Sequence, residues 1–123
     1  MKKFALALAV TFSLLLVSAS LFAHHGEANY DTDKVVAVKG TVTDFQFINP
    51  HTLIMMDVKN DKGEIEHWDV EMMSLNHLKS YGWTHSTVQV GDVISCTGGK
   101  AKSGAPAMIS SVMKLGDGRT IKS

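Results

Sequence analysis

Cysteine is almost absent from this 123-residue chain: Cys96 stands alone, so there is no internal disulfide and the fold must be held by packing. Only two prolines, Pro50 and Pro106, interrupt the chain, and it contains no internal repeat or low-complexity tract. An excess charge of one sign is also missing. Twelve basic side chains balance twelve acidic ones, which argues against a polyanion partner such as nucleic acid, because that partner needs a basic face. No Cys-x-x-Cys, His-Glu-x-x-His or close His-x-His spacing occurs, so a closed zinc site is not indicated. Neither a serine or cysteine nucleophile with a partner arrangement nor a spaced carboxylate pair is present, which leaves an enzyme as the weakest reading. Its one credible route would be copper redox chemistry.

Long apolar runs are lacking too, except at the start. Met1-Lys2-Lys3 precedes an apolar run from Phe4 to Val17, followed by small residues and Ala23. That is the order of a secretory signal peptide, and the run is short for a membrane span of roughly 20 residues. Cleavage after Ala23 makes residues 1–23 the leader and His24 the mature N-terminus, and places the mature chain in the periplasm or outside the cell. Cleavage after Ala19 would instead leave Ser20-Leu21-Phe22-Ala23 ahead of the histidines. The later cut leaves 100 residues, enough for one domain, with ten basic and twelve acidic side chains. Residues 24–34 read as an N-terminal arm and residues 35–123 as the domain.

The domain is organised around VVAVKGTVTDFQFINPH, Val35 to His51. Val36, Val38, Gly40 and Val42 fall on alternate positions, with polar Lys39 and Thr41 between the later ones, the period of a half-buried strand. The phase then switches to Phe45 and Phe47, which requires a bulge near Thr43–Asp44. Asn49-Pro50 stops the strand and leaves His51 at its rim. Thr52–Lys59 and Ile65–Met72 follow as a hairpin joined by Asn60-Asp61-Lys62-Gly63. Ser74–Tyr81 reads as a short helix capped by Ser74, with Leu75 and Leu78 three apart. A fourth strand runs to about Lys100 and a fifth over Ala107–Leu115, before a turn at Gly116-Asp117-Gly118. The order β-β-β-α-β-β predicts an all-β fold with one short helix, an OB-like five-stranded Greek-key barrel. Its expected core is Val38, Val42, Ile54, Val58, Trp68, Val70, Ile94 and Cys96, with Met56 and Met72 filling gaps.

Six histidines remain after the leader: His24, His25, His51, His67, His77 and His85. An N-terminal His24 carries a free α-amine beside its imidazole, and two nitrogens on one residue chelate Cu(II) in preference to other divalent first-row ions. His51 would add a third nitrogen in a brace-like set. Gly26 at the third mature position excludes the amino-terminal motif that needs histidine there. The bland alternative is a solvated tail with two incidental histidines. On the third strand His67, Asp69 and Glu71 share a polar face, for which solvent is the better assignment at His67 and Asp69. His77 and His85 read as surface residues.

Ala23-His24-His25, Gly40-Thr41-Val42, Asn49-Pro50-His51, Trp68-Asp69-Val70-Glu71 and Gly82-Trp83 together resemble a family of small exported bacterial proteins known only as a domain of unknown function. The resemblance spans essentially the whole mature chain. It implies export and the barrel fold but no reaction, and it suggests treating His24, His25, His51 and Glu71 as one set. Gly26 departs from the family's usual serine and loses a hydroxyl beside the histidine pair. The expectation from residues and resemblance is an exported, non-enzymatic binding module that holds copper through His24, His25 and His51, with Glu71 as oxygen ligand or orienting acceptor. The alternative is a domain that docks a periplasmic protein or envelope component and holds no metal.

Overall fold

The computed structural model describes residues 26–123. The expected leader, His24 and His25 lie outside the described residues. The elements are β1 (Tyr30–Gln46), β2 (Leu53–Lys59), β3 (Ile65–Glu71), α1 (Leu75–Ser80), β4 (Val93–Ala101), β5 (Ala107–Lys114) and β6 (Thr120–Lys122). No helix among the described residues is long and apolar enough to cross a membrane.

The pairing pattern makes a closed barrel. β1 pairs antiparallel with β2 through Thr41–Gln46 and with β4 through Tyr30–Thr41. β2 pairs with β3, and β4 with β5. A parallel contact, Asp69 to Ala107 and Glu71 to Ile109, joins β3 to β5 and closes the ring. The circuit β1-β2-β3-β5-β4, with the helix between β3 and β4, is that of the OB fold. β6 extends the sheet beyond the five expected strands by pairing with Val112–Lys114, where β5 has moved past β3.

One long strand can serve two neighbours only if it bends, and β1 bends where its side-chain phase changes. Val42 faces Met56 while Asp44 faces Met55, so Thr43 is the extra residue. The freed backbone at Val42 pairs with the segment entering β4: Val42 N–H donates to Asp92 O at 2.8 Å and Gly91 N–H to Val42 O at 2.8 Å. Just upstream, β2 folds tightly across Gly40, where a Cβ would sit 2.7 Å from Asp57 O and 2.9 Å from Val58 Cγ2. Only glycine admits that approach.

β1 starts at Tyr30 rather than Val35. A second irregularity explains the difference: Asp31 faces Lys100 but Val35 faces Gly99, so residues 32–34 bulge out of the ladder. The segment Asp31-Thr32-Asp33-Lys34 has no alternation to betray a strand.

The core matches most of the expected set: Val42, Ile54, Met56, Trp68, Val70, Met72, Ile94 and Cys96 are buried, and Val58 lies at the margin. Val38 is a correction, being only partly buried against the core. Met108 and Met113 from β5, Leu78 from α1, and Phe47, Trp83, Val88 and Leu115 from the connecting segments join the interior. Ser74 takes the cap position of α1 without making a side-chain cap; its hydroxyl lies 3.1 Å from His77 Nδ1 instead.

Candidate functional site

The site lies at one rim of the barrel, where the β1–β2 loop meets the end of β3. Three contacts fix that meeting. Thr52, directly after His51, is fully buried, and its carbonyl accepts from Met72 N–H at 3.0 Å, directly after Glu71. Leu53 faces Glu71 in the β2–β3 ladder. The Thr52 hydroxyl donates to Ile48 O at 3.4 Å, and the Asn49-Pro50 peptide within this loop is cis. A loop anchored by buried polar bonds holds its one exposed imidazole in a narrow range of positions.

His51 Nδ1 lies 3.1 Å from Glu71 Oε1, with the histidine side chain 57% exposed and the glutamate 18%. Glu71's second oxygen, Oε2, accepts a hydrogen bond from Tyr30 Oη at 2.9 Å. Burial pushes the Tyr30 hydroxyl up to about 12, and the bond to Glu71 and the negative charges of Glu71 and Asp69 push the same way. That hydroxyl is a neutral donor throughout the physiological range. Gly26 closes the arrangement from the chain's N-terminal side. A Cβ there would lie 3.7 Å from Glu71 Oε1 and 4.0 Å from His51 Cε1, ordinary contact distances. A serine at this position would therefore bring its hydroxyl next to the carboxylate.

A cleft of about 430 Å³ opens beside the pair, with His51, Glu71, Glu27, Met73, His77 and Ile109 on its walls. Among the described residues no three of His, Cys, Asp and Glu cluster closely enough to hold a metal ion by themselves. His51 and Glu71 supply two donors, and any further donor must come from outside that set.

Of the four candidate residues, His51 and Glu71 meet, while His24 and His25 fall outside the described residues. His67 and Asp69 are solvent-exposed, and His67 Nδ1 lies 2.6 Å from Asp57 Oδ1 on the outer surface. His85 is exposed and stands edge-on to Phe47 at 4.9 Å. His77, read as a surface residue, does face solvent but also lines the cleft. Tyr30 escaped the sequence reading altogether. It precedes the unpatterned bulge, and no spacing rule connects it to a glutamate 41 positions away.

Fold and site together define a small OB-fold protein carrying a histidine–carboxylate–tyrosine cluster at its rim. A family model described as a family of unknown function (DUF6152) matches residues 11–110, and the chain belongs to that family. No curated protein matches it significantly. Among solved structures, the mitochondrial single-stranded DNA-binding protein Rim1 from S. cerevisiae is similar, at a TM-score of 0.48 and 11% identity. The match covers 67% of this chain and 92% of that one. The barrel assignment rests on the strand pairing itself.

Proposed function

We propose that the protein is exported, is cut after Ala23, and serves as a copper-binding module rather than an enzyme. The α-amine and imidazole of His24 chelate Cu(II), His25 and His51 supply further imidazole nitrogen, and Glu71 stands beside them. The observation that carries this reading is the position of Gly26 against both His51 and Glu71. Gly26 follows the histidine pair directly in sequence and is itself at the rim, so the covalent path from the pair to the site is short. Nitrogens bound at about 2 Å can then share one ion. The chemistry of the set, nitrogen-rich with one carboxylate, favours Cu(II) by the ordinary order of divalent affinities.

The surface supports a partner other than nucleic acid. β3 carries Glu66, Asp69 and Glu71 and no lysine or arginine, so it presents no basic face to a phosphate backbone.

The test is calorimetric titration of Cu(II) into protein beginning at His24, beside His24→Ala, His51→Ala and a form with one extra N-terminal residue. Binding should weaken at least tenfold in each variant, and the extended form should weaken although every histidine remains. It should also weaken in acid, because imidazole and amine must lose their protons to bind. Equal binding by all four proteins refutes the metal reading and leaves a docking domain in its place.

A further inference from the structure

We propose that Tyr30 and Glu71 are positioning residues that hold His51 as the Nδ1–H tautomer, so that Nε2 is the nitrogen offered to an incoming metal ion. The inference rests on the copper reading for its use but not for its geometry. A neutral imidazole carries one N–H, and the nitrogen that keeps it cannot be a ligand. Nδ1 lies 3.1 Å from a carboxylate oxygen, Glu71 Oε1, which can only accept while it is ionised. The stable arrangement therefore puts the ring proton on Nδ1.

Glu71 is in turn held from behind. Its other oxygen accepts from the Tyr30 hydroxyl at 2.9 Å, and β3 places its backbone opposite Leu53. With one oxygen held by tyrosine, turning the carboxylate away from the imidazole costs that hydrogen bond, which favours the orientation with Oε1 toward the ring. Cε1 is the His51 ring atom nearest a Cβ built at Gly26, 4.0 Å away. Cε1 is bonded to both ring nitrogens, so that contact does not choose between them; the choice is made by Glu71 at Nδ1, which leaves Nε2 as the unprotonated nitrogen. An imidazole fixed by a carboxylate is both oriented and made a better electron donor, and loss of such a partner generally costs 10–100-fold in metal affinity.

The competing arrangement uses the same 3.1 Å differently: Nδ1 and Oε1 could both ligate one ion lying between them. The two differ in where the proton sits before any metal arrives. Nitrogen-15 NMR of the metal-free protein, purified after export with its N-terminus read by mass spectrometry, reports the tautomer of His51 directly. At pH 8 the expected result is protonated Nδ1 and unprotonated Nε2. In Tyr30→Phe the two tautomers should mix while the amide spectrum away from the rim stays unchanged, and in Glu71→Ala the Nδ1–H preference should vanish. Cu(II) affinity should fall about tenfold in Tyr30→Phe and more in Glu71→Ala. An Nε2–H tautomer in the wild-type protein, or one that neither variant alters, overturns the inference whether or not copper binds. A wild-type protein with His51 locked as Nδ1–H that binds no Cu(II) upholds the positioning of the ring and overturns the copper reading.

Discussion

Trp68 shows how a single side chain can carry much of a small barrel. It is 7% exposed on β3, cross-strand from Met56, with Lys100 Nζ 5.7 Å from its ring centroid. Its indole N–H is buried without a partner among the described residues. A large apolar body contributes through burial, and an unpaired donor subtracts from that contribution. Trp68→Ala should cost about 3–5 kcal/mol. Trp68→Phe should cost much less than the loss of ring area alone would suggest, because it also removes the unpaired N–H. Urea denaturation of the two variants measures the gap. Equal losses would mean that the N–H is satisfied in solution. The other tryptophan contrasts with it: Trp83 is buried more deeply still, yet donates to Lys122 O at 2.7 Å, tying the chain after α1 to β6.

Among the elements, β4 and β5 approach each other closely at Gly98. Their register shifts between Thr97 and Gly98, and a Cβ on Gly98 would overlap the carbonyl oxygen of Ile109. That oxygen belongs to a strand paired on both sides, so it cannot yield as a flexible side chain would. Gly98→Ala should therefore destabilise by about 3 kcal/mol or more. Gly116→Ala, where the new carbon would meet only Val93 O at 3.5 Å, is the matched control and should change the melting temperature little. Similar thermal shifts in the two variants would contradict this account of the β4–β5 crossing.

At the scale of the whole molecule, burial of groups that keep their protons makes stability sensitive to alkali. Burial pushes the Cys96 thiol up to about 12, and Tyr30 is pushed up to about 12 as well. Both groups hold their protons more tightly folded than unfolded. Their contribution to stability is complete below the unfolded pKa values, about 8.5 for cysteine and 10 for tyrosine, and is lost as pH rises toward 12. Unfolding free energy should fall steadily above about pH 9. Cys96→Ala should be less stable than wild type at pH 7, through lost packing, yet lose less stability between pH 8 and pH 11. Denaturation curves across that range decide the point. Parallel pH dependence in the two proteins would show that Cys96 is not the titrating group.

The alternation of Val36 to Val42, its reversal at Phe45, and the turn and helix signals downstream determined the order of elements and most of the core. These are local properties: period, phase and punctuation are written in neighbouring residues. The bulge at Thr43 and the strand-stop before His51 belong to the same class. The start of β1 and the strand β6 were not legible, since a polar three-residue bulge and a three-residue strand have no period of their own. The rim cluster was decided by tertiary structure alone. His51 and Glu71 could be named from motifs, but their 3.1 Å approach follows from the β2–β3 register and the Thr52–Met72 bond. Tyr30 reaches Glu71 only because a closed barrel brings the start of its first strand back against the end of its third. Contacts between residues 41 apart arise from ring closure, and no window of sequence contains that information.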